Sequence, residues 1–193
     1  MASTSTSIAT LTAAELEQAR ACLCQAETGL IGATKGLSET QWTFKPGADR
    51  WSIAEIVEHL AKVNELILGP IRERLAQAPP PPADASRLDQ LIISQFPVRL
   101  NRFSGPEMLH PSGSSTPAES LARFQEGSRA LAEHVGTTPG LRQHAIPSMP
   151  LKAITGGAYE LMDGYQWVLG AAAHTERHIR QILEVKADPN FPA

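Results

Sequence analysis

The chain has 193 residues, 42% of them hydrophobic, which suits one domain with a full core. Its 17 basic and 20 acidic side chains leave a net charge of -3, without the basic stripe that phosphate backbones require. Aromatic residues make up 5% and do not interleave with Lys or Arg, so stacking on nucleic-acid bases is not expected either.

The chain opens Met-Ala-Ser-Thr-Ser-Thr-Ser, with neither the positive nor the apolar region of a secretory signal. No apolar run approaches the roughly 20 residues needed to cross a bilayer, so no membrane association is expected. The first helix starts at the capping box Thr12-Ala13-Ala14-Glu15 and fades at Gly36. It carries both cysteines, Cys22 and Cys24, whose i,i+2 spacing points them apart. A disulfide between them is not expected, and a reducing cytoplasm is the natural compartment.

A second helix opens at another capping box, Ser52-Ile53-Ala54-Glu55, and is expected to run to the Pro79-Pro80-Pro81-Pro82 tract. Ile53, Ile56, Val57, Leu60, Val63, Ile67, Ile71 and Leu75 follow the helical period. Pro70 lacks an N–H and clashes with the carbonyl of Leu66, which should kink or split this helix. A short amphipathic piece spans Leu88 to Phe96. The third helix starts at Thr116-Pro117-Ala118-Glu119 and ends near Gly136, and residues 137–158 read mainly as loop. The fourth covers Tyr159 to Lys186, before Pro189. No alternating Val/Ile/Thr run argues for a sheet. The expected fold is all-α: a single four-helix-bundle domain, core about 12–186, with long crossover connections.

Chemistry concentrates on three histidines. His174 and His178 are four apart, on a stripe shared with Trp167, Ala171, Gln181, Ile182 and Val185. His59 lies between Ile56 and Val63 on the apolar stripe of the second helix. Facing helices would assemble three neutral imidazoles with an open fourth position, the ligand count of catalytic zinc sites; nickel, iron and manganese also accept imidazole. The ordinary alternative is a satisfied core histidine and a pair spaced by chance. Glu55 and Gln181 are candidates to orient the imidazoles, although Glu55 also has a capping role. Glu58 and Glu176 are read as solvated. His110 and His134 receive no role beyond a helix-dipole contact for His134, and His144 at most lines a cavity. Trp42, Trp51 and Trp167 read as core or junction anchors.

The string Trp51-Ser52-Ile53-Ala54-Glu55-Ile56-Val57-Glu58-His59-Leu60, with His174-Thr175-Glu176-Arg177-His178-Ile179-Arg180-Gln181-Ile182 much later, resembles the DinB-like superfamily, which includes the YfiT-like metal-dependent hydrolases. The segment from Arg102-Phe103-Ser104-Gly105-Pro106-Glu107 to Pro111 resembles its middle region. The resemblance implies a four-helix bundle, a divalent metal on His59, His174 and His178, and frequently a homodimer. It implies a metal-dependent hydrolase acting on a small molecule. The alternatives are a thiol S-transferase of detoxification or stress response, using a low-molecular-weight thiol, and a non-catalytic metal-binding bundle. One departure is the loop from His144 through Gly157, where the family shows a compact H-P-x-F-G-like turn.

Overall fold

The computed structural model describes residues 10–99 and 105–193. Helix α1 (Ala13–Thr34) begins at the Thr12/Glu15 capping box, and α2 (Glu39–Thr43) is a short turn capped by Ser38 and Gln41. Helix α3 spans Ile53–Leu66 and starts at the Ser52/Glu55 box. Pro70 then falls within a π-helical turn, Ile67–Ile71, before α-helical geometry resumes as α4 (Arg72–Leu75). The wider turn absorbs the missing N–H and the ring clash, so the helix is interrupted at Pro70 and stops at Leu75, short of the proline tract.

Two 3-10 turns, Ala85–Arg87 and Glu107–Leu109, flank α5 (Leu88–Gln95), and α6 spans Pro117–Thr137. The stretch expected to be mainly loop holds β1 (Ala145–Pro147) and α7 (Met149–Ile154), the latter capped by Ser148. The last helix starts later than expected. Leu161–Asp163 is strand β2, antiparallel to β1 with Ile146 opposite Met162, and α8 runs from Gly164 to Lys186. The boundary has a local cause: Asp163 Oδ1 accepts the Gln166 N–H at 2.8 Å while Gln166 Oε1 accepts the Asp163 N–H at 3.1 Å.

Helices α1 and α8 pack as one pair, α3 and α6 as another. Their contacts give the directions. The Tyr165 hydroxyl meets the Glu15 carbonyl and Lys186 meets the Ala33 carbonyl, so α1 and α8 run parallel. Glu58 meets Ser112 just ahead of α6, and Asn64 meets the Phe124 carbonyl, so α3 and α6 are parallel too. At one end of the bundle, Leu30, Ile179 and Ile182 from the late parts of α1 and α8 share a core with Ile53, Ile56 and Phe124 from the early parts of α3 and α6. The two pairs are therefore antiparallel to each other. Parallel neighbours leave no room for a short hairpin, and the chain between α3 and α6 must travel back along the bundle.

That return is held by buried charge. Arg142 donates through Nε to Glu15 at 2.8 Å, through Nη2 to Asp89 at 2.6 Å and through Nη1 to Asp163 at 3.0 Å. Its guanidinium lies 4.2 Å from the Tyr165 ring centre, and Gln166 Nε2 adds a 2.9 Å bond to Asp89. One guanidinium thus ties α1, α5 and the start of α8. Arg142→Met should cost about 3–5 kcal/mol, because it strands the Asp163 and Asp89 carboxylates out of water. Urea denaturation at pH 7 measures this, and a loss below about 1 kcal/mol would show the network to be dispensable.

Candidate metal centre

The α3 capping box places the first ligand-type side chain. Ser52 accepts the Glu55 N–H, and the Glu55 carboxylate returns to the Ser52 N–H at 2.8 Å and to Lys45 Nζ at 2.7 Å. Glu55 is thereby engaged at the helix start, in its capping role, and its oxygens are directed to Ser52 and Lys45. One turn on, His59 is 5% exposed, and its Nδ1 lies 2.9 Å from the Leu109 carbonyl. A carbonyl only accepts, so Nδ1 carries the proton and Nε2 keeps its lone pair.

Helix α8 contributes the other two. The small residues Ala171, Ala172 and Ala173 are all buried and let the α8 backbone approach its neighbours just ahead of His174. His178 Nδ1 lies 2.9 Å from Gln181 Oε1, which also accepts a 3.1 Å bond from Arg99 Nη1. Oε1 must be the amide oxygen, since a guanidinium can only donate to it. His178 therefore donates through Nδ1 and, like His59, presents a bare Nε2. That nitrogen is 3.2 Å from His174 Nε2. The His59 ring centre lies 5.1 Å from that of His174 and 4.8 Å from that of His178. One ring nitrogen from each of the three falls within 4.8 Å of the others.

Burial lowers the pKa of His59, and for His174 and His178 burial and then the neighbouring rings push it well below 6.5. All three imidazoles are neutral at pH 7, the state a metal requires. The donor set suits a divalent ion. Two ligand nitrogens about 2.0–2.1 Å from a tetrahedral zinc stand roughly 3.3 Å apart, close to the 3.2 Å spacing of His174 and His178. Among the described residues the buried Nδ1 of His174 has no hydrogen-bond partner, a costly state for an imidazole nitrogen.

Trp51 closes one side, its ring 5.0 Å from His59 and stacked on His178 at 6.3 Å with an 18° interplanar angle. It is more than a junction anchor, and its place directly before the Ser52 cap is the signal that could have located it. Arg99 and the Leu109 carbonyl also support these rings. Both lie in the connection after α4, which the local pattern does not place.

Glu58 corrects the solvated reading. It is 2% exposed, and its carboxylate accepts from the Ser112 N–H, the Ser112 hydroxyl and the Gly113 N–H, with Lys62 Nζ at 2.9 Å. Burial favours protonation, but these donors outweigh it and hold the carboxyl at about 2. Glu176 is half-buried and faces Gly29 of α1.

The remaining histidines stand apart. His110 Nε2 meets the Gly105 carbonyl and its ring centre lies 6.1 Å from that of Trp51. His134 bonds Thr138, and His144 bonds the Ala78 carbonyl; both line a cavity of about 170 Å³ with Arg72 and Leu141. The Gly105–Pro111 part of the middle region lies beside His59, whereas Arg102, Phe103 and Ser104 fall outside the described residues.

The DinB superfamily profile matches residues 23–182. The chain belongs to the DinB superfamily. It is 24% identical over 157 residues to an uncharacterized protein, YuaE, of Bacillus subtilis strain 168, covering 79% of this chain and 87% of that one. It also superposes on YfiT from Bacillus subtilis with a TM-score of 0.58 at 14% identity, over 95% of this chain and 92% of that one. YfiT is described as a probable metal-dependent hydrolase with an unusual four-helix bundle topology. At this identity the likeness establishes the fold. No helix among the described residues is long and apolar enough to cross a membrane.

The neutral trio carries a pH signature. The folded pKa values lie below the ordinary 6.5, so their stabilisation is complete above that value and is lost as pH falls below it, where the unfolded chain takes up protons first. Chelator-treated protein should therefore weaken between pH 7 and 5, by at most about 2 kcal/mol per ring. His174→Leu should flatten that slope in urea titrations across this range; parallel profiles for parent and variant would contradict the assignment.

Proposed function

We propose that this DinB-superfamily protein is a metal-dependent hydrolase of a small molecule, with a divalent ion, zinc first, on His59, His174 and His178. The observation that carries the proposal is the convergence of three neutral imidazoles, two of them with tautomers set so that Nε2 faces the cluster. YfiT, described as a probable metal-dependent hydrolase on the same fold, adds support. Nickel, iron and manganese remain alternatives because imidazole suits each.

His59, His174 and His178 would hold the divalent ion, which when bound would supply Lewis acidity toward a carbonyl or phosphoryl oxygen. The chain's own residues do the rest. The Leu109 carbonyl and Gln181 hold the protons of His59 and His178 on Nδ1, and Arg99 holds Gln181 in turn. Trp51 stacks on His178 and lies tilted against His59, placing apolar surface on one side of the cluster, where electrostatic contacts are stronger than in water. Homodimerisation belongs to the same proposal, supported by the family resemblance and read by analytical ultracentrifugation.

The test is metal content by mass spectrometry of untagged protein, followed by a panel of ester and amide substrates. The parent should carry about one equivalent of a divalent ion, and His174→Ala and His178→Ala should each lose it with their helical content unchanged. Hydrolysis should disappear with the metal and need no added thiol. Turnover only with a low-molecular-weight thiol would replace hydrolysis by thiol transfer. Metal without any turnover would leave a metal-holding bundle, and no metal after incubation with zinc or nickel would end the metalloenzyme reading.

A further inference from the structure

One turn of α3 grips the loop that enters α6. Glu58 takes three donors from it: the Ser112 N–H at 2.9 Å, the Ser112 hydroxyl at 2.7 Å and the Gly113 N–H at 3.0 Å. Lys62, one turn later and paired with Glu58 at 2.9 Å, donates to the His110 carbonyl at 2.7 Å. The backbone at Gly113 has φ +69°, a left-handed value that a side chain would strain, and there its N–H reaches the carboxylate. The grip is desolvated: the side chains of Glu58 and Lys62 are 3% and 20% exposed.

The same loop supplies the only partner that His59 Nδ1 has among the described residues, the Leu109 carbonyl at 2.9 Å. Leu109 closes a single 3-10 turn, Glu107–Leu109, too short to hold its own position. Its side chain is buried, and the residues directly after it are held by Glu58 and Lys62. Glu58 is the residue before His59, so its side chain leaves the helix about 100° away from the imidazole and does not reach it directly. Whatever it does to His59 passes through the loop.

We infer that Glu58 is a positioning residue: by clamping Ser112 and Gly113 it sets the Leu109 carbonyl, which fixes the tautomer and ring orientation of His59 with Nε2 toward His174 and His178. The clamp accounts for a buried carboxylate, otherwise costly, in the helix turn that carries His59. It gives His59 a support equivalent to the Arg99–Gln181 pair on His178. The value of this placement for metal binding rests on the function proposed above, whereas the tautomer control is a property of the metal-free protein.

The experiment separates the two. Imidazole nitrogen-15 spectra of the metal-free full chain report the His59 tautomer, and cobalt(II) titration reports affinity and the d–d band. The parent should show one His59 tautomer with the proton on Nδ1. Glu58→Ala should mix the tautomers, lower cobalt affinity about 10–100-fold and change the band shape. Glu58→Gln, which keeps an acceptor for Ser112, should fall between. Leu131→Ala, in the core of the opposite half of α6, should cost comparable stability yet leave tautomer and affinity unchanged. Should Glu58→Ala fail to fold, Ser112→Ala should shift both readouts the same way by less. A parent that binds no cobalt but whose His59 tautomer is scrambled by Glu58→Ala would sink the metal reading and uphold the clamp. Unchanged tautomer and affinity in the Glu58 variants, or equal losses in Leu131→Ala, would overturn it.

Discussion

Parallel packing of α3 against α6 is the constraint from which the site follows. Parallel neighbours cannot be joined by a tight turn, so the chain between them must cover the length of α3 in reverse, about 21 Å at 1.5 Å per residue for its 14 residues. On this return it lays α5 against α8, delivers Arg99 to Gln181 and Glu184, and brings the Leu109 carbonyl onto His59. A bundle with only antiparallel neighbours could dispense with this excursion, and with it the groups that orient two of the three imidazoles.

Two polar networks, of different chemistry, divide the molecule. Around Arg142 one guanidinium donates to three carboxylates and so ties together the region where α1, α5 and α8 meet. Around His59, His174 and His178 every ring is kept neutral by burial and by its neighbours, and among the described residues the Nδ1 of His174 has no partner. The first network is satisfied within the protein. The second is satisfied only in part, which is the state expected of side chains whose remaining lone pairs are directed at a ligand.

The DinB superfamily match covers residues 23–182, and the likeness to YfiT gives the fold. The departure between His144 and Gly157 becomes a small strand, a short helix and a second strand, β1–α7–β2, packed where α8 begins. His144 itself faces the Ala78 carbonyl and does not join the histidine trio.

The residues by themselves determined the four long helices, three of them announced by a cap at Thr12, Ser52 or Thr116, whereas the fourth, read from Tyr159, begins at Gly164 behind the Asp163/Gln166 box. They also determined that His174 and His178 share a face, since i,i+4 geometry is local. The pairing of strands Ala145–Pro147 and Leu161–Asp163 was not legible, because three-residue strands carry too little alternation to separate them from loop. Nor could local pattern distinguish the two carboxylates in the turns beside His59, Glu55 and Glu58. Glu55 bonds back to its own helix start, while Glu58 is buried by a loop more than fifty residues away. That His59 meets the other two histidines at all, with Trp51 over the rings and the Leu109 carbonyl behind, was decided only by tertiary structure. Helical periodicity says which residues share a face. Which faces meet depends on long-range packing, and here on the direction in which α3 and α6 lie together.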